Sequence, residues 1–282
     1  MTESSPLASS GQMDPLSYHY EADDVDPDGH DLPSLRARFL LENLPDGGVL
    51  LEVGCGGGKN LRTIAKYRSD VILLGCDIIV PGREDPGFDF RRVDPDQMDL
   101  PYADSSVDTV LLYDVLEHVK DPKKVATEIA RVIKPDGLLI AFIPFEGERI
   151  SWYTLFRHFL GQDLYAVTKD HIQAFTHREV MDMIGQDFHV QKRQYAYHPF
   201  GQLMDATFFA LVKIPRFHHL YWTESPFHNA SDHEHSLVGR CFGAVLQSAH
   251  AVAWAESKLL GRFRFFSTCV LLTARRNAGA AG

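Results

Sequence analysis

Residues Val49-Leu50-Leu51-Glu52-Val53 run straight into Gly54-Cys55-Gly56-Gly57-Gly58, and no other stretch limits the fold so tightly. Four apolar residues around one acid suit a central parallel strand buried on both faces. Glycines placed directly after it supply positive φ and remove the Cβ atoms that would hold backbone away from a ligand. The stretch therefore predicts a nucleotide or nucleoside cradle at the carboxyl end of a strand.

The pattern around this cradle is regular. Strands are expected at 49–53, 71–76, 88–93, 108–113 and 137–143, with helical or loop segments between them that include Lys59 to Arg68 and Pro122 to Ile133. That alternation implies a parallel sheet with helices on both faces. An amphipathic helix over Leu35 to Leu44 precedes the first strand, and Pro45-Asp46-Gly47-Gly48 turns the chain into it. Asp121-Pro122 reads as an N-cap and first helical residue, Val125, Ile129 and Val132 as the buried stripe, and Lys134-Pro135-Asp136-Gly137 as the stop.

After Pro144 the order changes. Glu146 to Gln173 is rich in aromatics (Trp152, Tyr153, Phe156, Phe159, Tyr165) and reads as an inserted cap. A helix at about 177–185 and a strand at about 188–197 follow, and Ser267 to Arg275 is the last strand expected. Between these two strands lie Phe200 to Ile214, a loop containing His, Trp and Pro, and a long helix from about Ser236 to Leu260. Val238, Phe242, Val245, Ala249 and Val252 give that helix an apolar face, expected to pack on the core or the cap.

The formal charge of −10 argues against a general phosphate-tracking surface, so no nucleic-acid partner is expected. Cysteines at 55, 76, 241 and 269 show no C-x-x-C or framework spacing, which fits a reducing, cytoplasmic setting. Eight acids and no Lys or Arg precede Arg36, and residues 1–33 are expected to form an acidic, largely disordered tail. Within it, Tyr18, His19 and Tyr20 could fold over a ligand or staple the tail to the body. No signal peptide and no apolar run of about 18 residues is visible. Peripheral membrane contact through the long helix stays open, although Arg240, Glu256 and Lys258 are few for a surface helix.

Two ligand classes compete for the glycine loop, dinucleotides and S-adenosylmethionine. A dinucleotide fold wants G-x-G-x-x-G, and its third glycine would fall at position 59, which is Lys. The run is instead E-x-G-x-G-x-G, from Glu52 through Gly54 and Gly56 to Gly58. A sulfonium amino acid carries an ammonium and no pyrophosphate, so an acid at the loop makes physical sense. Asp77 closes the second strand, where an acid can accept both ribose hydroxyls or simply hold a turn. Asp96-Gln97-Met98-Asp99-Leu100-Pro101-Tyr102 follows, then Val107-Asp108-Thr109-Val110, Leu116-Glu117-His118-Val119 and Arg131 to Gly137.

In this order these segments resemble the class I S-adenosylmethionine-dependent methyltransferases, most closely the group that includes ubiquinone- and menaquinone-biosynthesis enzymes. The resemblance covers roughly residues 35–197 and weakly the final strand. It implies a Rossmann-like seven-stranded α/β sheet over residues 34–282, with helical insertions at about 146–174 and 198–262. It also implies that Asp96 accepts from the adenine amine, Gln97 offers backbone N–H, Met98 packs on the ring, and Asp114 sits near the methionine moiety.

Methyl transfer is an in-line displacement at a sulfonium, so the protein mainly positions the acceptor and takes its proton. Asp114, Glu117 and His118 fall at i, i+3 and i+4, the spacing of one helix face, and His171 lies beyond the aromatic insert. The set is similar to the E-x-x-E-H plus distant His that binds a divalent metal in ubiquinone-pathway catechol O-methyltransferases and small-RNA 2′-O-methyltransferases, with Asp114 shorter than their Glu. His118 and His171 are equally candidates for a metal-free base. His218, His219, His228, His233 and His235 crowd one loop, read as solvated, while Trp222 and Phe227 could line an acceptor pocket. The aromatic insertions point to a small apolar or aromatic acceptor, with oxygen favoured. Two other readings remain, a catalytically silent binding module and a nicotinamide oxidoreductase.

Overall fold

The computed structural model describes residues 24–81, 86–160, 171–212, 214–217, 220 and 236–277. The strands are β1 (Val49–Val53), β2 (Ile72–Asp77), β3 (Asp89–Arg92), β4 (Val107–Tyr113), β5 (Ile133–Pro144), β6 (Phe188–Ala196) and β7 (Cys269–Arg276). They form one seven-stranded sheet in the order β3-β2-β1-β4-β5-β7-β6. All neighbours are parallel except β7, which runs antiparallel to both β5 and β6. The α/β Rossmann-like fold expected from the sequence is the fold observed.

Successive strand residues point to opposite faces, and each face has its own helices. Leu50, Leu111, Ile140 and Leu271 share one core with Leu35, Phe39 and Leu40 of α1 (Leu32–Asn43) and Leu61 and Ile64 of α2 (Lys59–Tyr67). Leu51, Val110, Leu112 and Val270 share the other with Val125, Ile129 and Val132 of α3 (Pro122–Val132) and Val180 and Ile184 of α5 (His177–Ile184). The Asp121 side chain caps α3 by accepting from the Lys124 N–H at 3.0 Å, as its place before Pro122 implies.

Two expectations are corrected here. Lys134 to Gly137 is not a loop that stops α3. The helix ends at Val132 and the chain enters β5 at Ile133, with Asp136 at φ 61° and a register shift against β4 between Val107 and Thr109. Lys134 Nζ lies 2.7 Å from Asp108 Oδ1, and Arg275 donates to the Asp136 carbonyl at 2.6 Å, so this stretch is a pinned bulge within the sheet. The long helix, α7 (Leu237–Leu260), keeps only part of its expected face: Ala249 packs on the core and Phe242 meets Phe208 at 6.3 Å, but Val238, Val245 and Val252 are exposed, while Gly239, Gly243, Leu246, Ala253 and Ser257 are buried. Small residues win the inner face because α7 lies close against α6 (Pro199–Val212).

At the amino end, Val25 N–H donates to Thr63 Oγ1 at 2.9 Å and Asp31 caps α1 through the Ser34 N–H at 2.7 Å. The chain is thus tied to the body from Val25 onward, inside the stretch read as a tail. Tyr18, His19, Tyr20, Trp222, Phe227 and the five histidines from 218 to 235 lie outside the described residues. No described helix is long and apolar enough to cross a membrane.

Candidate functional site

The carboxyl ends of β1, β2 and β4 meet at the glycine loop. Gly54, Gly56 and Gly58 all take positive φ (73°, 51° and 83°), the reason glycine stands at each. A Cβ on Gly54 would meet Val115 Cγ2 at 2.4 Å, and one on Gly58 would meet Phe88 Cε1 at 2.3 Å. Gly54 and Cys55 donate to the Cys76 carbonyl, binding the loop to the end of β2. Asp77 then accepts from Gly56 N–H at 2.8 Å and from Ile79 N–H at 3.0 Å. Burial pushes its carboxyl up, against these N–H donors and nearby His118. Glu52 is buried inside the strand and accepts from Asn60 Nδ2 at 2.6 Å, tying β1 to the first turn of α2.

The next segment forms a tight turn. Asp96 N–H donates to Asp94 Oδ1 at 2.9 Å, Met98 takes φ 56° and donates to the Asp94 carbonyl at 2.8 Å, and its side chain packs on the core edge. Asp96 and Gln97 face solvent. Leu100 N–H donates to Glu128 Oε2 at 2.8 Å, and Tyr102 hydroxyl to the Gly75 carbonyl at 3.0 Å. Arg131 closes the set by donating to Glu128, Asp104 and the carbonyls of Leu100 and Tyr102. Two sequence segments matched separately, Asp96 to Tyr102 and Arg131 to Gly137, are therefore one hydrogen-bonded unit.

Asp114, Glu117 and His118 do not share a helix face. Asp114 leaves β4 at φ 52° and only Leu116–His118 forms a turn of 3₁₀-helix, so the i, i+3, i+4 geometry is lost. Asp114 instead accepts from Arg36 Nη2 at 2.5 Å, and the guanidinium lies 4.1 Å from the Phe142 ring centroid and 5.0 Å from that of Tyr113. The structure brings together Glu117, His118 and His171, each with a ligand atom within 4.8 Å of the others. Backbone bonds do this: Ile172 and Gln173 N–H both donate to the Glu117 carbonyl, at 2.9 and 3.0 Å. The two imidazoles meet edge to face at 4.8 Å.

The electrostatics divide these groups. Both carboxyl oxygens of Glu117 are buried without a hydrogen-bond partner among the described residues, and burial followed by the Asp114 charge pushes this acid well above the usual carboxylate range. Burial works against protonation of His171. Its bond to Glu146 Oε2 at 3.0 Å and the charges of Glu146, Glu117 and Asp114 outweigh that effect and raise it to about 9. At neutral pH His171 is therefore an imidazolium, which is not a resting base.

Sequence reasoning missed Arg36, Glu146 and Asp205. Asp205 on α6 accepts from Tyr153 hydroxyl at 3.2 Å across to α4 (Trp152–Leu160), and burial raises its carboxyl to about 8. An acid inside the apolar run Phe200 to Ala210 was the available signal. Arg36 carried none, since a cation on a helix surface resembles any other.

Residues 51–141 match the family model described as a methyltransferase domain. Over 111 residues the chain is 33% identical to a tRNA (carboxymethyluridine(34)-5-O)-methyltransferase of Arabidopsis thaliana, covering 37% of this chain and 26% of that protein. Over 121 residues it is 32% identical to a ubiquinone biosynthesis O-methyltransferase of Aliivibrio fischeri (strain ATCC 700601 / ES114), covering 38% of this chain and 50% of the relative. The chain thus spans between a quarter and half of these relatives' lengths. Among solved structures it resembles the [4+2]-cyclase SpnF, with a TM-score of 0.54 at 18% identity over 87% of this chain and 81% of that one. It also resembles geranyl diphosphate C-methyltransferase of Streptomyces coelicolor A3(2), with a TM-score of 0.51 at 14% identity over 87% and 81%. The glycine loop, Asp77 and the unit joining Asp96 to Arg131 all lie inside the span that matches a methyltransferase domain, on a Rossmann-like sheet.

Proposed function

We propose that the chain is an S-adenosylmethionine-dependent methyltransferase acting on a small, apolar or aromatic acceptor, with oxygen as the favoured methylated atom. One observation carries this reading: the glycine loop and the Glu117, His118 and His171 cluster lie side by side, with Val115 packed against Gly54 and His118 within electrostatic reach of Asp77. A donor cradle and a proton-handling cluster at the same strand ends suit methyl transfer. In this reading Asp77 takes the ribose hydroxyls, Asp96, Gln97 and Met98 the adenine, and Glu52, Gly54, Gly56 and Gly58 shape the loop. Asp114 and its partner Arg36 border the methionine end. The α4 and α6 segments, within the insertions at 146–174 and 198–262, cover the acceptor side, and a cytoplasmic location fits. The SpnF likeness is a reminder that this fold alone does not select a reaction.

Calorimetry on the purified chain tests the core of the proposal. S-adenosylmethionine is expected to bind, and Asp77→Ala to weaken it by about tenfold or more, the scale of a hydrogen-bonded charged partner lost. No binding by the parent chain, with Asp77→Ala indistinguishable from it, overturns the reading. Transfer of label from S-adenosylmethionine to a small molecule in cell extract separates an enzyme from a silent binding module.

A second reading concerns the base. Glu117, His118 and His171 fit a divalent cation by donor chemistry and by the buried, unbonded Glu117 oxygens. Bound there, a cation supplies Lewis acidity that lowers the pKa of an acceptor hydroxyl. His171 would have to shed its proton to serve as a ligand, while Glu146 orients the ring through Nδ1. Without a cation, His118 is the base and the His171 imidazolium positions it. EDTA and His171→Ala are each expected to reduce labelled transfer by about tenfold or more. Full activity in both cases removes the metal reading.

A further inference from the structure

The exposed side of α7 repeats. Val238, Val245, Val252 and Leu259 recur every seven residues, and all are well exposed, at 57%, 63%, 51% and 79%. Midway between them stand the small residues Cys241, Ser248 and Ala255, so the seam alternates in steps of three and four along a 24-residue helix. This is the spacing by which one helix packs along another, and a fold that merely left a helix wet has no need of it. The opposite side of α7 is already occupied, since Gly239, Gly243, Leu246, Ala253 and Ser257 are buried.

The order of large and small residues says what fits. Lay a second α7 antiparallel so that Val245 of one faces Ser248 of the other. Val238 then faces Ala255, Val252 faces Cys241, and the same pairs recur on exchange of the two chains. Each of the three valines meets a small residue, Leu259 lies beyond the paired stretch, and the seam complements itself about a two-fold axis, as a closed dimer requires. Charge agrees. The single acid of the helix, Glu256, turns inward to accept from the Phe200 and Gly201 N–H groups at 3.0 Å each. Arg240 and Lys258 lie five helical turns apart on one flank. On that flank Asp24, Asp26 and Asp31 line a cavity of about 610 Å³ with Gln247, Ser248 and Ala251. An edge carrying both signs suits another copy of itself better than an anionic lipid surface, which those acids oppose.

We propose that two copies of this chain associate through an antiparallel pair of α7 helices, with Val238, Val245 and Val252 of each seated on Ala255, Ser248 and Cys241 of the other. The proposal is independent of the reaction catalysed. Sedimentation equilibrium of the full chain is expected to give a dimer. Val245→Asp should raise its dissociation constant about a hundredfold or more, because pairing would bury a carboxylate against apolar neighbours. Far-UV circular dichroism of the same sample checks that the fold is retained.

A second variant fixes the geometry even if the first unfolds. In Val252→Cys the new thiol lies opposite the native Cys241 of the other copy, so mild oxidation should give a covalent dimer. The parent chain and Val252→Cys combined with Cys241→Ser should give far less. A monomer at tens of micromolar, a dimer indifferent to Val245→Asp, or binding of α7 to phosphatidylglycerol vesicles by a monomeric chain would each overturn the proposal. Equal crosslinking of the parent chain would place Cys241 against itself and exclude the antiparallel register.

Discussion

Gly54→Ala is expected to weaken S-adenosylmethionine binding by more than about tenfold in calorimetry and to cost about 2–4 kcal/mol of stability, from left-handed strain and overpacking together. Two costs meet at this residue. Its φ of 73° disfavours any side chain, and the added Cβ would stand 2.4 Å from Val115 Cγ2. Val115 lies between Asp114 and the turn carrying Glu117 and His118, so relief of that clash displaces the acceptor-side groups or the loop itself. Gly87→Ala separates the two costs. Gly87 has a similar φ of 81°, and an added Cβ would find nothing within 4 Å, so only strain applies there. Equal losses at positions 54 and 87, in both Tm and affinity, would show that packing against Val115 does not matter.

Arg131→Ala should be the most destabilising surface-reaching substitution, about 3 kcal/mol by urea denaturation, the low end for breaking a buried ion pair because the guanidinium is partly exposed. Its partner Glu128 is only 6% exposed and would keep a charge with Lys124 Nζ at 3.8 Å as its remaining cation among the described residues. The carbonyls of Leu100 and Tyr102 would lose their Arg131 donors in the same step. Since Leu100 follows the turn at Met98, proposed to hold the adenine, S-adenosylmethionine affinity should fall together with stability. Arg131→Lys, which keeps charge but not the fork, should recover less than half of the loss. A change below about 1 kcal/mol would mean that water replaces the network at little cost.

The parallel core was legible because its signals are local. Alternating apolar runs, a glycine loop and the Asp121-Pro122 start need no partner to be recognised, and β1 falls where it was expected, at 49–53. What failed depends on tertiary contact. The apolar residues of α7 could not be assigned to a face from periodicity alone, because two stripes run along it and the buried one, Leu246 apart, is made of small residues. The shared face expected for Asp114, Glu117 and His118 assumed a helix that begins directly after β4. Asp114 takes a left-handed conformation instead, held by Phe142 and Arg36. Arg36, Glu146 and Asp205 reach the site from α1, the end of β5 and α6, and such convergence leaves no spacing to read.

The clasp between Glu117 and the chain at 172–173 has a consequence for how such a protein can diverge. His171 is delivered by its contact with Glu146 and by two backbone bonds to the Glu117 carbonyl, and the backbone bonds do not depend on which side chains stand at 172 and 173. A substitution at 172 or 173 that keeps the backbone N–H therefore returns the imidazole to the same place. The place of the imidazole and the side chains that follow it can thus diverge separately.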